Sequence, residues 1–217
     1  MKIDFVSDVA CPWCAVGLNA LEIALKRIGD DVSITLHMQP FELNPDMAAD
    51  GVDAAAYLSK KYGLTAAQLQ SNRANIRSRG AEVGFTFGER TRVWNTFDAH
   101  RLLHWAGDAG KHDQQRKLKH ALLRAYHGEG RNPGDKDVLL SLVAEVGLDM
   151  ETARAILESD RYADEVRAAE KFWQRNGITA VPSVIINDRH LIQGGQPADV
   201  FEQAIRQIAA EESIAAK

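Results

Sequence analysis

Cysteine is nearly absent from this chain: two occur in 217 residues, at positions 11 and 14. A disulfide scaffold stabilises by closing long loops, and a pair three positions apart closes almost none. Two thiols placed that close, with no others in the chain, point to chemistry more than to scaffolding. Also missing is any stretch of about 18 or more consecutive apolar residues, which excludes a membrane-spanning helix. No run of Lys and Arg marks a basic patch, and the net charge is -4. Nucleic-acid binding needs clustered positive charge, so that class is disfavoured. The start, Met1 to Asp8, carries Asp4 and Asp8 and lacks the apolar core and cleavage site of a secretory signal. If Met1 is the natural start, a cytoplasmic protein is expected. Neither an internal repeat nor a low-complexity tract breaks the sequence. What is present is ordinary: 45% hydrophobic and 26% charged residues, enough for one large domain or a domain carrying an insertion.

Lys2 to Val6 reads as a short strand running directly towards Cys11. After Cys14, Val16, Leu18, Leu21, Leu25 and Ile28 have helical spacing, with Gly29 as the stop. Val32 to Met38 alternates apolar and polar and reads as a strand closed by Pro40 and Pro45. This βαβ order predicts two parallel strands. From about residue 46 to 175 convincing strand signals are lost. Thr65 and Gln68 form a capping-box pattern, and later helical stretches carry Leu118, Leu122 and Tyr126, then Val138, Leu139 and Leu142. Tyr162, Val166 and Ala169 continue to Trp173, with Asn176-Gly177 as a left-handed stop. Strand signals return at Ser183–Asn187 and Leu191-Ile192 around an Asn187-Asp188 turn, before a final amphipathic helix through Phe201 and Ile208. The expected organisation is α/β, with residues 1–45 and 176–217 forming one domain and 46–175 an inserted helical one.

The thiolate, not the thiol, attacks a disulfide, so a redox cysteine needs its pKa brought below about 8.5. A helix N-terminus does this with unpaired N–H groups and the positive end of its dipole. Cys11 stands where strand gives way to helix, with Pro12 tolerated in the first turn. The i, i+3 spacing puts Cys14 one turn along on the same face, able to close a disulfide with Cys11. Cys11 is therefore expected to be the exposed attacking thiol and Cys14 the shielded one that resolves the mixed intermediate. Structural zinc wants four ligands, and neither a second C-x-x-C nor a nearby His pair is present. Val181-Pro182 precedes the returning strand, where a proline costs no ladder bond. The functional alternative is a cis peptide packed beside the redox pair, exposing the Val181 backbone to an extended substrate. The residues alone leave both open.

These features together resemble the DsbA-like branch of the thioredoxin superfamily, and within it the FrnE-like group. The resemblance rests on Ser7 to Cys14, Pro40 to Pro45, Asn95 to Leu102, Gly177 to Ser183 and Gly194 to Pro197, spanning most of the chain in the family's order. It implies a thioredoxin fold with an inserted all-helical domain, Cys11 as nucleophile, Cys14 as partner and a cis Pro182. It also implies a disulfide oxidase, reductase or isomerase acting on protein or small-molecule thiols and disulfides, with no organic or metal cofactor. Relatives in the branch include 2-hydroxychromene-2-carboxylate isomerases and kappa-class glutathione transferases, which typically carry Ser at the position of Cys11 and use bound glutathione. Both cysteines are intact here, which favours dithiol chemistry and leaves glutathione as a co-substrate. The FrnE-like pattern often has Gly before Val-Pro and an aromatic after it; this chain has Ala180 and Ser183. A glutathione-dependent isomerase and a redox-sensing chaperone are the rival readings.

Other residues carry weaker signals. Trp13 is either a substrate contact or a packed surface aromatic. Asn95 and His100 fall in a family-like segment and are candidates for the substrate cleft, with ordinary hydrogen bonding as the alternative. His100 and His104 share helical spacing, but Arg101 stands where a metalloprotease pattern needs Glu. Asp8 precedes Cys11 by three residues and its charge would raise a thiol pKa, so it reads as a solvated loop residue or cap acceptor. Gly128-Glu129-Gly130 follows a helix and reads as a helix stop, not a nucleotide loop.

Overall fold

The computed structural model describes residues 1–109 and 111–215. Its sheet has the order β2 (Thr35–Pro40), β1 (Lys2–Ser7), β5 (Ser183–Ile186), β6 (His190–Gln193). β1 pairs parallel with β2, as the βαβ order requires, and antiparallel with β5. The hairpin β5–β6 turns through Asn187 and Asp188, both at positive φ, which these short polar side chains tolerate. Alternation along β1 serves two faces. Ile3 and Phe5 pack with α1 (Pro12–Ile28) and α9 (Ala198–Ala215), whereas Val6 packs with Phe41, Trp173 and Ile185. The second strand begins at Thr35, not Val32, because the chain leaves α1 through a 3-10 turn at Gly29–Asp31, with Gly29 at φ 57, and is not yet paired at Val32.

Between β2 and β5 the chain forms α2 (Ala54–Tyr62), α3 (Ala66–Glu82), α4 (Phe97–Asp108), α5 (His112–Leu123), α6 (Lys136–Glu145), α7 (Met150–Leu157) and α8 (Ala163–Arg175). Thr65 and Gln68 make the reciprocal capping box that opens α3. Tyr162 does not continue α8; it stands before it at φ 63. This stretch also holds a pairing the sequence reading lacks: β3 (Val52–Asp53) against β4 (Arg92–Val93). Two residues per strand are too few to leave a period-two signature.

The helices differ in how they are held. α4 to α7 close on a shared core that includes Leu102, Leu118, Leu122, Tyr126, Leu139 and Ile156. Val9 and Ala10, from the loop between β1 and α1, belong to that same core. By contrast α2 buries only Ala54, and α3, at 17 residues, only Leu69 and Gly80.

Candidate active site

Cys11 is the N-cap of α1, with extended backbone and Pro12 at the first helical position. Its N–H donates to the Asp8 carbonyl and its own carbonyl accepts from Cys14 N–H at 3.1 Å. Both cysteines are free thiols. Cys11 keeps 5% of its surface and Cys14 none, so Cys11 is far less exposed than the sequence suggests. What it keeps faces a cleft of about 660 Å³, also bordered by Pro12 and Trp13.

The two sulfurs are electrostatically unequal. The Cys14 thiol donates to the Cys11 sulfur, the largest influence holding Cys11 below the ordinary thiol value; the N–H groups of Cys14 and Trp13 assist. Burial and the Asp8 charge oppose that shift. Burial pushes Cys14 well above the ordinary value, and the neighbouring Cys11 adds to it. The charge of Lys119 pulls the other way.

The peptide Val181–Pro182 is cis. The Val181 carbonyl lies 3.5 Å from the Cys11 sulfur and accepts from its thiol. Gly17, one turn past Cys14, is what lets this loop approach: a Cβ there would stand 2.9 Å from Pro182 Cγ. Ser183, where the family-like pattern has an aromatic, is buried and donates its hydroxyl to the Ala180 carbonyl.

Beneath the thiols is a layer of buried polar residues. Asp8 is not a solvated loop residue; it is fully enclosed. Its carboxylate accepts from Ala10 N–H at 2.9 Å, Leu43 N–H at 2.7 Å and the Thr96 hydroxyl at 2.9 Å, with His100 Nε2 at 3.3 Å. Burial alone would raise the Asp8 carboxyl, but His100 and the two N–H groups outweigh it and hold it below its usual value. His100 thus sits under the loop as a partner of Asp8, and it is not among the residues that line the cleft. Nor is Asn95, whose side chain donates to the Met47 carbonyl and accepts from Phe97 N–H.

Three further residues were not singled out from the sequence, although Glu42 lies in the family-like segment Pro40 to Pro45. His127, in a π-helical turn (Arg124–Gly128) after α5, donates from Nε2 to the Val9 carbonyl at 2.8 Å. Burial, with the Arg90 charge, pushes its pKa down to about 3, so the ring is neutral. Lys119 of α5 has no exposed surface, and its Nζ has no hydrogen-bond partner among the described residues. Burial lowers its pKa, while Cys14, Asp8 and Cys11 draw it back up. Its helix is pinned on both sides of it: Gln115 bonds the Met38 backbone of β2, and His120 meets Glu22 of α1 at 2.8 Å. Glu42, next to Leu43, forms an ion pair with Arg167, which also holds Glu170 at 2.9 Å. Burial, with the Glu170 charge beside it, raises Glu42 to about 8. Among the described residues no group of three or more His, Cys, Asp or Glu is placed to hold a metal ion.

Fold and site together define a thioredoxin-fold protein with two thiols at a helix N-terminus beside a cis-proline loop. The chain belongs to the DSBA-like thioredoxin domain family, which matches residues 2–206. It is 34% identical over 208 residues to the protein YwbO of Bacillus subtilis (strain 168), covering 94% of this chain and 96% of that one. The crystal structure of the probable DsbA oxidoreductase SCO1869 from Streptomyces coelicolor is similar with a TM-score of 0.89 and 36% identity, over 97% of this chain and 91% of that one. The cytosolic disulfide reductase DsbM from Pseudomonas aeruginosa, solved with GSH, shares the fold at a TM-score of 0.67 and 17% identity, over 96% and 100% of the two chains.

Proposed function

We propose that the protein is a thiol–disulfide oxidoreductase in which Cys11 attacks and Cys14 resolves. The observation that carries this reading is the inequality of the two sulfurs. Cys11 meets the cleft with its pKa lowered, and Cys14 is sealed with its pKa raised. In the reductive direction the Cys11 thiolate attacks one sulfur of a disulfide RS–SR′. A Cys11–S–S–R bond forms, the substrate S–S bond breaks, and R′S⁻ leaves to take a proton from water. Cys14 must then ionise where water does not reach. The buried, unpartnered Lys119 favours that ionisation, because its charge draws the Cys14 thiol down. The Cys14 thiolate attacks the Cys11 sulfur, closes the Cys11–Cys14 disulfide and releases RS⁻, which takes up the proton that Cys14 gave up. Two electrons pass from the dithiol to the substrate, and the reverse sequence oxidises a dithiol.

In this reading Val181 and Pro182, with Pro12 and Trp13, form the surface against which a substrate lies. Asn95 and His100 act below it, holding the loop through Met47 and Asp8. Glutathione is the small thiol suited to return the Cys11–Cys14 disulfide to the dithiol, which fits a reducing compartment such as the cytoplasm. The intact Cys11 favours exchange at the protein's own sulfur over an isomerisation carried by bound glutathione. The test is dithiothreitol-driven reduction of insulin disulfides by wild type, Cys11→Ser and Cys14→Ser. Wild type is expected to accelerate precipitation of the insulin B chain, and Cys11→Ser to match the uncatalysed reaction. Equal rates for all three proteins would overturn the proposal.

A further inference from the structure

The cleft beside Cys11 has a wall that the fold itself does not need. The large apolar side chains of α2 and α3 that stay out of the core, among them Tyr57, Leu58, Tyr62 and Ile76, line it instead. Apolar surface left uncovered costs roughly 25 cal/mol per Å² against burying it. A helix pair that turns such residues to a cavity leaves them for a ligand to cover. The cleft's volume of about 660 Å³ suits a small molecule.

Charge refines the occupant. Arg73 and Arg77, one helical turn apart on α3, both border the cleft and are exposed. Arg79 of the same helix pairs with Glu82, but neither Arg73 nor Arg77 has a carboxylate partner among the described residues. The third arginine of the lining, Arg90, is engaged with the Ala10 carbonyl. Of the two carboxylates in the lining, Asp53 caps α2 through Ala56 N–H, and Glu89 belongs to the segment before β4. The uncommitted charge on α3 is therefore two guanidinium groups, the geometry that recognises a carboxylate.

We propose that the cleft selects a low-molecular-weight disulfide or thiol carrying an apolar or aromatic arm and a carboxylate. The arm lies against Tyr57, Leu58 and Ile76, the carboxylate meets Arg73 and Arg77, and the sulfur reaches Cys11. This rests on the dithiol reading above and names the substrate class for it; the electrons and protons move as in that reaction.

The experiment compares single-turnover rates of the reduced protein with dithiobis(nitrobenzoate), an anionic aryl disulfide, and dithiodipyridine, a neutral one. Each rate is divided by that of free glutathione with the same probe, which removes intrinsic reactivity. Wild type is expected to prefer the anionic probe about tenfold by this measure, and Arg73→Gln/Arg77→Gln to lose that preference. Added salt should erode it in wild type. A second arm titrates wild type with (methylthio)benzoate, a thioether that cannot exchange. Saturable binding weakened about tenfold by the double substitution is expected. An anionic preference unchanged in the double variant, or no binding of the thioether, overturns the proposal. Rates no faster than glutathione with both disulfides, alongside arginine-dependent thioether binding, would sink the dithiol reading and leave the cleft assignment standing.

Discussion

Below the active-site loop, α4 to α7 bury their apolar residues against one another, with Leu102, Leu122, Tyr126 and Leu139 all at zero exposure. Beside it, α2 and α3 bury Ala54, Leu69 and Gly80 and direct their larger apolar side chains into the cleft. The two regions flank the same sulfur and are held by different forces. The lower one includes Val9 and Ala10 in its core and bonds Val9 again through His127, so it fixes where Cys11 stands. The lateral one is tied down by capping and by the short β3–β4 pairing, so its apolar face is available to a substrate. Rigidity at the thiols and an unfilled wall next to them are the two things that selective exchange at a nearly buried sulfur requires.

The sharpest way to break this contrast is to remove equal chemistry from each side. Leu122→Ala deletes a fully buried side chain and should cost about 2–5 kcal/mol in urea unfolding. Ile76→Ala in α3 should cost less than about 1 kcal/mol, since that side chain is only half-buried. Similar losses at both positions would mean that α3 is a core element after all. A smaller effect, confined to rate, is expected from Lys119→Met. Replacing a buried unpartnered ammonium by an apolar side chain of similar volume should leave stability equal or higher. The resolving step should nevertheless slow about tenfold, equivalent to about 1.4 kcal/mol. Without the Lys119 charge to draw its pKa down, Cys14 ionises only as the solution becomes more basic, so the pH profile of resolution should move to higher pH. Rapid acid quenching and mass measurement of the accumulated mixed disulfide read this directly. An unaltered profile would reduce Lys119 to a packing role.

The two regions were also unequally legible in the sequence. Cys11-Pro12-Trp13-Cys14 at a strand–helix junction, the parallel βαβ order and the Asn187-Asp188 hairpin follow from local periodicity and turn chemistry, and the structure has them. The cis isomer at Pro182 came only through the family resemblance, because an X–Pro bond does not announce its state. Burial of Asp8, Lys119 and His127 was invisible, since an enclosed charge depends on elements distant in sequence closing over it. The role of α2 and α3 was hidden for the opposite reason. Their apolar residues are real, but nothing local distinguishes a side chain that faces a core from one that faces a cavity.

The central claim is that the two sulfurs have different duties, and one trapping experiment addresses it. Cys14→Ser and Cys11→Ser, each fully reduced, are mixed with a disulfide substrate, quenched with acid and weighed intact. The account predicts that Cys14→Ser accumulates a stable mixed disulfide at Cys11, whereas Cys11→Ser gains no mass because Cys14 is sealed and its pKa is raised. Adduct formation at Cys14 at a comparable rate would contradict it.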